Sequence, residues 1–298
     1  MKDLRVLVNA IQMRSIHMHH DFELLLVIDG QGYINIKNDK YLVSKGDALI
    51  INPYEGHEIF SNNDYLTTII IQFSKHFIGD YFHELRNTIF LNSLIKNKYN
   101  SQEYKSLLDK IVSLSKHYLS GDNYFQLRCV SLLSEILLSL INNVENVQLS
   151  ESEYSKRKKT NKRIERIGSY IDGHYQEPIR LSDIATIEGI TPTHLSHFIT
   201  DNFGMTFQEY LRDKRLENAL RIINDEKLTL TEVAELSGFS DLKYLNAAFN
   251  EVFNVNPGDF RKRKLDSPLT INNKNASEHI YAESEAIQIL NNIDIRSL

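Results

Sequence analysis

The chain has 298 residues, 42% of them hydrophobic, and a formal net charge of −5. This length predicts roughly two domains, with enough apolar residues for a core in each. The single cysteine, Cys129, excludes an internal disulfide and suits a reducing compartment. There is no basic-then-apolar leader and no apolar run of the roughly 20 residues that a membrane span needs. We therefore expect a cytoplasmic protein without a membrane segment.

The first part of the chain predicts a small β-barrel. Short runs rich in Ile, Val, Leu and Tyr alternate with turns that contain Gly, Asn, Asp and Pro. Strands this short and this regularly punctuated favour an antiparallel barrel or sandwich. The predicted strands are 24–28, 33–37, 41–43, 48–51 and 67–73.

Two amphipathic helices are predicted next, at about 103–119 and 124–144, because apolar residues recur there at helical spacing. We expect both to pack on the barrel. An apolar stripe left uncovered would suit a second copy and a homodimer, but a purely internal role is equally open. Residues 1–145 form the expected first domain, and the polar, aperiodic segment 146–160 is the expected linker.

One local pattern then occurs twice. Each copy is an amphipathic helix with a small residue, Ala185 or Ala234, where a second helix must cross closely. A glycine follows four residues later, Gly189 or Gly238, where a turn needs a positive φ angle. This order predicts a helix-turn-helix, whose second helix enters the major groove of DNA.

The start of each second helix supports this interpretation. Thr191 and Ser240 are the predicted N-caps, and Pro192 occupies a first helical position. A plain helical hairpin is the alternative, and a lone copy would favour it. Two copies in matching register favour DNA binding.

A third predicted helix, at about 161–175, precedes the first copy, and an unbroken helix at 206–224 joins the two. At 1.5 Å per residue this spacer spans roughly 27 Å, close to the ~34 Å of one DNA turn, so it would place both recognition helices in successive grooves. Residues 161–265 form the expected DNA-binding domain. The remainder, 266–298, is a polar tail without a readable function apart from a weakly helical stretch near 283–290.

Basic residues are in slight excess in this second half and cluster at 156–159 and 261–264. Phosphate contact is one interpretation of these clusters, and a solvated linker is the other. For the first cluster we prefer the linker.

Residues 163–264 resemble the AraC/XylS family of bacterial transcription regulators, through Ala185, Gly189, Pro192, Gly238 and Phe239 among others. The resemblance implies a seven-helix domain that binds asymmetric DNA sites. The positions it assigns to DNA contact are Pro192, Thr193, Ser196, His197, Thr200, Leu242, Lys243, Asn246, Ala247 and Asn250. The second unit departs from the family pattern, with Asn254 for the usual glycine and few basic residues. We therefore expect the first unit to carry more of the specificity.

The N-terminal part resembles the cupin-like sensor domain of such regulators, through His17-Met-His19-His20-Asp-Phe-Glu23, followed by Gly30, Gly46, Pro53 and His57. The same spacing occurs in metal-binding cupins, where imidazoles and a carboxylate hold Fe, Mn, Ni or Zn. Because the family's sensors typically lack metal and the second motif is imperfect, no metal or other cofactor is predicted. We expect His19, Glu23, Tyr33 and His57 to contact an organic effector, for which a sugar is plausible.

The expected fold is thus α+β with two domains, a cupin-like β-barrel with packing helices followed by an all-α domain with two helix-turn-helix motifs. The expected function is an effector-responsive transcriptional activator, with carbohydrate genes as the first candidate target and stress or virulence genes as the second. Its partners would be double-stranded DNA, a small-molecule effector, RNA polymerase and a second copy of the chain. We expect no enzymatic activity; the alternative is a metal-dependent cupin enzyme fused to a DNA-binding domain.

Overall fold

In the computed structural model the N-terminal domain is built on two antiparallel sheets that face each other. The residues it describes are 1, 3–61, 65–79, 81–262, 277–295 and 298. The strands are β1 (Leu4–Ile11), β2 (Met13–His17), β3 (Phe22–Asp29), β4 (Gln31–Ile36), β5 (Asp39–Ser44), β6 (Ala48–Ile51), β7 (His57–Ser61), β8 (Leu66–Phe73), β9 (Thr88–Phe90), β10 (Asn146–Gln148) and β11 (Glu278–Ile280). One sheet has the order β11-β1-β8-β3-β6 and the other β2-β7-β4-β5, while β9 pairs with β10.

The α-helices fall into two groups, one on the sensor and one in the C-terminal domain. Their bounds are α1 (Ser101–Ser120), α2 (Phe125–Asn143), α3 (Glu151–His174), α4 (Leu181–Glu188), α5 (Pro192–Phe203), α6 (Phe207–Ile222), α7 (Leu230–Leu236), α8 (Leu242–Phe253), α9 (Pro257–Lys262) and α10 (Glu283–Asn291). The five predicted strands and the two helices after them are confirmed, with ends shifted by a few residues. The sequence interpretation missed β1, β2, β7 and the three-residue strands β9, β10 and β11.

Strand alternation separates two cores in the sensor. On β3, Leu25 and Val27 point between the sheets, while Leu24 and Leu26 join a cluster that includes α1 and α2. The opposite, four-stranded sheet carries the C-terminal domain on its outer face, since Met13 belongs to that domain's core. The molecule is therefore layered as helices, sheet, sheet and DNA-binding domain.

The predicted linker is wrong over most of its length. Residues 146–148 form β10, and α3 already begins at Glu151, ten residues before the helix expected there. The cause is a capping box, in which the Ser150 side chain accepts from the backbone of Glu153 and the Glu153 carboxylate accepts from Ser150. The basic cluster at 156–159 therefore lies on a helix.

The predicted helical stretch near 283–290 is confirmed as α10, but the rest of the described tail is not a free polar segment. Strand β11 pairs with β1, and α10 packs into the sensor core through Ala286 and Leu290. The side chain of Asn9 on β1 donates to the Glu278 carboxylate at 2.7 Å. The C-terminal segment thus returns to the sensor; residues 266–276 lie outside the described ones.

Among the described residues, one helix, α2, is long and apolar enough to cross a membrane by length and composition, contrary to our expectation. One such helix is weak evidence, because the core helix of a soluble protein passes the same test. Cys129, Leu133 and Leu137 on one face of α2 are buried in the sensor core.

Candidate functional site

The first helix-turn-helix consists of α4 and α5. Helix α4 ends at Gly189 with φ of +64°, and the amide of Gly189 donates to Ala185 and Thr186 carbonyls. The Thr191 side chain then caps α5 by accepting from the His194 amide, with Pro192 in the first turn. The predicted glycine conformation and cap are confirmed here.

The second unit consists of α7 and α8. Gly238 has a φ of +86°, as predicted. The predicted cap Ser240 is wrong: the N-cap of α8 is Asp241, whose carboxylate accepts from the Lys243 amide at 2.7 Å. Asn254 ends the helix with φ of +53°, so asparagine supplies the left-handed residue in place of glycine.

Helix α5 presents its predicted DNA contacts to solvent. Leu195, Ile199 and Phe203 bury one face of the helix in the domain core. All five predicted contacts of this unit are exposed on the remaining surface: Pro192, Thr193, Ser196, His197 and Thr200. A polar, solvent-facing strip beside a buried stripe is what a groove-reading helix requires.

Helix α8 exposes fewer of its predicted DNA contacts than α5 does. Lys243, Ala247 and Asn250 are exposed, whereas Asn246 is half-buried and Leu242 packs against the core of the second unit. The structure does not support a free Leu242 side chain for base contact. Tyr244, which the assignment of contacts omitted, is 53% exposed, and the Lys243 ammonium lies 5.5 Å from its ring centroid. Its position on the recognition helix is the feature by which the sequence could have identified it as a candidate DNA contact.

Two arginines that match the AraC/XylS pattern donate hydrogen bonds to backbone carbonyls and so stabilise the DNA-binding domain. Arg215 on α6 donates to the carbonyls of Tyr175 and Glu177. Arg261 donates to the carbonyls of Ile223 and Leu228. Arg261 is therefore engaged inside the protein, which removes it from the predicted phosphate-contacting cluster; residues 263 and 264 of that cluster lie outside the described ones.

Between the two sheets, at one end, lies a cluster of polar side chains that we call the histidine cluster: His17, His19, Glu23 and His57. Glu23 and His57 are fully buried, and the His19 side chain is 17% exposed. Nε2 of His19 lies 3.0 Å from one Glu23 oxygen, and Nε2 of His57 lies 3.5 Å from the other. Elsewhere between the sheets lies a cluster of apolar side chains that includes Ile34.

The electrostatics of the histidine cluster follow from burial and from the central carboxylate. Burial opposes ionisation of Glu23, but the hydrogen bond from His19 and the nearby imidazole of His57 outweigh it and hold the Glu23 pKa well below its usual value. Burial also lowers the His17 pKa strongly, with Arg14 adding to the effect. For His19, burial works against the charged form, yet the bond to Glu23 leaves its pKa raised.

Three of the four predicted effector contacts, His19, Glu23 and His57, are thus brought together, and Tyr33 is not. Ile34 and Ile36 on β4 face the space between the sheets, so Tyr33 lies on the outer face, opposite Phe60. The assignment also missed two members of the neighbourhood. His17 joins the histidine cluster, and Gln72 on β8 donates to Glu23 at 2.9 Å.

Strand β2 links the histidine cluster to both DNA-binding units. His17 ends the strand, Ile16 packs into the core of the first unit, and Met13 packs into that of the second. Between them the Ser15 hydroxyl donates to the Glu217 carboxylate on α6. One strand of the sensor therefore contacts the cores of both units and the helix α6 that joins them.

Comparison with known proteins agrees with this architecture. A family model described as an AraC-like ligand binding domain matches residues 12–137, and one described as a helix-turn-helix domain matches residues 184–263. The chain belongs to the AraC family of transcriptional regulators. It thus carries the sensor and the helix-turn-helix domain that the resemblance implied.

Relatives of this AraC-family chain are distant. An HTH-type transcriptional regulator of Staphylococcus aureus is 23% identical over 97% of this chain, which spans only 37% of that protein's length. YdeC of Bacillus subtilis, also an HTH-type transcriptional regulator, is 23% identical over 83% of this chain and 86% of its own. The structure of ToxT from Vibrio cholerae covers 87% of this chain and 98% of its own, with 14% identity and a TM-score of 0.47, a likeness too distant to carry an argument.

Proposed function

We propose that this AraC-family chain regulates transcription by binding specific DNA sites through both helix-turn-helix units, under the control of an effector bound in the sensor. The observation that carries the proposal is the solvent-facing strip of α5, whose five predicted DNA contacts are all exposed. Helix α6, 16 residues long, joins the two units. Its length of about 24 Å suits insertion of α5 and α8 into successive major grooves.

Effector control is supported by the attachment of β2 to both units. A ligand that binds one arrangement of β2 better than another would shift the population of the attached DNA-binding domain. The histidine cluster offers imidazoles, one carboxylate and the amide of Gln72, a set of groups that does not single out a carbohydrate as the effector. Activation and contact with RNA polymerase stay predictions from the resemblance. Access to chromosomal DNA implies the predicted cytoplasmic location, and the relatives, named as regulators, give no support to an enzyme.

We also propose that the chain forms a homodimer through α2. Leu127 and Leu138 on this helix are 70% and 61% exposed, on the side away from the buried Leu133. Burying such side chains against a second copy would stabilise the pair. Light scattering on the purified chain should give twice the mass of one copy, and a Leu127→Ser, Leu138→Ser variant should give the mass of a single copy.

The DNA-binding proposal is tested by selecting genomic fragments with the purified full chain. Enriched fragments should share a motif with two half-sites about one helical turn apart. A Thr193→Ala, His197→Ala variant is the matched control, because both side chains are exposed and make no described contact with the core. Enrichment by the parent chain alone supports the proposal, and equal or absent enrichment by both proteins would contradict it.

A further inference from the structure

The histidine cluster has the composition and spacing of a metal site. Donor atoms of His17, Glu23 and His57 all lie within 4.8 Å of one another, and Nε2 of His19 contacts the same carboxylate. We propose that this cluster binds one divalent first-row transition-metal ion. This reverses the expectation of no metal that the family resemblance gave.

Unpaired atoms carry the proposal. Within the described part of the chain, Nε2 of His17, Oε1 of Glu23 and Nε2 of His57 are buried and have no hydrogen-bond partner. A buried polar atom left without a partner destabilises the folded state, so three in one place call for an explanation. An ion between them would satisfy all three at once.

The orientation of the three imidazoles prepares them for a metal. Nδ1 of each ring lies against a backbone carbonyl, and a carbonyl oxygen only accepts, so Nδ1 must carry the hydrogen. In neutral His17 and His57, Nε2 then holds a free lone pair directed at the cluster, as in metal-ligating histidines whose second nitrogen is held by the backbone. His19 differs, because its Nε2 donates to Glu23 and would have to lose that proton to bind an ion. The accepting carbonyls, for His17, His19 and His57 in turn, are those of Ser15 at 3.1 Å, Asp21 at 2.8 Å and Glu55 at 2.9 Å.

The Glu23 carboxylate is also fixed in orientation by a hydrogen bond. Gln72 donates to Oε2 of Glu23 and leaves Oε1 facing His57. Three imidazoles and one carboxylate suit Zn, Fe, Co or Ni, while Ca and Mg prefer all-oxygen sites. In a tetrahedral site with metal–nitrogen bonds of about 2.0–2.1 Å the ligand atoms lie about 3.4 Å apart, so donor atoms as much as 4.8 Å apart need to close by more than an ångström.

The position of the site gives the ion a role. His17 is the last residue of β2, whose Met13 and Ile16 pack into the two DNA-binding units. Coordination would fix the end of this strand and thereby favour one arrangement of the units. The ion is then the effector, a step that rests on the proposed DNA-binding function.

Metal binding is tested on the untagged full chain, stripped with chelator and titrated with Co²⁺, with visible absorption and calorimetry as readouts. We expect one equivalent to bind, with competition by Zn²⁺. Glu23→Gln and His17→Gln should each weaken binding at least about tenfold, since even loss of a residue that only supports a ligand has an effect of that size. His20→Gln is the matched control, since this exposed histidine pairs with Glu165, at 3.3 Å, outside the histidine cluster, and its loss should leave binding unchanged.

Absence of a bound equivalent, or binding that survives both substitutions, would overturn the site. If Glu23→Gln fails to fold, the half-buried His17→Gln variant decides the question alone.

The effector role is tested by measuring affinity for a selected DNA fragment with Zn²⁺ and with chelator. The ion should change the affinity by about 5-fold or more in the parent chain and not in Glu23→Gln. Metal binding without any change in DNA affinity would overturn the effector role. Failure to bind DNA in either state would overturn the proposed function, while the Co²⁺ titration would still decide the metal site.

Discussion

The two helix-turn-helix units share one local pattern but differ in how their turns meet the rest of the domain. A Cβ atom built on Gly189 meets no other described atom within 4 Å. One built on Gly238 would lie 2.7 Å from Cα of Gln176 and 2.8 Å from the carbonyl oxygen of Tyr175. The sequence pattern specifies the turn, and the neighbours decide how much a change in it costs.

The largest expected effect is a difference in stability between alanine substitutions at the two turn glycines. Gly238→Ala combines left-handed strain with a backbone clash and should lower the unfolding free energy by about 3 kcal/mol or more. Gly189→Ala is the matched control, since it carries only the strain of about 1–2 kcal/mol. Urea denaturation of both full-length variants gives the two losses. Equal losses would mean that the Gln176 segment yields freely to the added methyl group.

The units should also differ in reading DNA. His197→Ala on α5 should weaken binding to a selected site by roughly 1–3 kcal/mol and leave binding to random DNA nearly intact. His197 is exposed on the strip beside the buried Ile199, so its removal should not disturb the core. Fluorescence anisotropy with both DNAs gives the two affinities. An equal loss on random DNA would contradict base reading by this residue.

A structural feature could be predicted from the sequence when the residues that determine it lie close together in the chain. The turns at Gly189 and Gly238 and the cap at Thr191 are encoded within a few residues, and all three were predicted correctly. The start of α3 was predictable too, because Ser150 and Glu153 have capping-box spacing, but the polar composition around them suggested a linker.

The remaining features depend on distant partners. Strand β11 is three residues long, and its partner β1 lies at the other end of the chain, so no local pattern reveals it. The error at Tyr33 is one position in a strand, enough to reverse the face of a side chain. The unpaired atoms around Glu23 became visible only once three separate strands were placed together.

Helix α6 is shared by both units and packs against the sensor. A buried carboxylate on this helix, that of Asp213, should make the stability of the protein depend on pH. Asp213 is 3% exposed, and burial raises its pKa from 3.8 to about 6, against the hydrogen bond from Arg212. Its acidic neighbours are Glu58 from the sensor, whose own pKa burial raises to about 7, and Glu209 and Glu251 from the DNA-binding domain.

Because the folded pKa exceeds the unfolded value, the folded state holds an extra proton between the two, and stability falls as pH rises through about 4 to 6. Asp213→Asn removes this dependence. At about pH 7.5 it should raise the unfolding free energy by about 1 kcal/mol, since losing the Arg212 pair offsets part of the gain. At about pH 4.5 the gain should vanish. A gain that is the same at both pH values would contradict a buried charge at this position.

The smallest expected effect is on DNA affinity and concerns the second helix-turn-helix unit. Lys243 is the one basic side chain on α8, beside the exposed ring of Tyr244. A lysine that contacts phosphate contributes affinity without regard to sequence, and its loss reduces the dependence of binding on salt. Lys243→Ala should therefore weaken selected and random DNA alike, by less than about 1 kcal/mol, and reduce the salt slope by about 1. Titrations at several salt concentrations, beside His197→Ala, measure both quantities. A loss confined to the selected site would instead assign base reading to the second unit, and the division of labour between the two helices would have to be reversed.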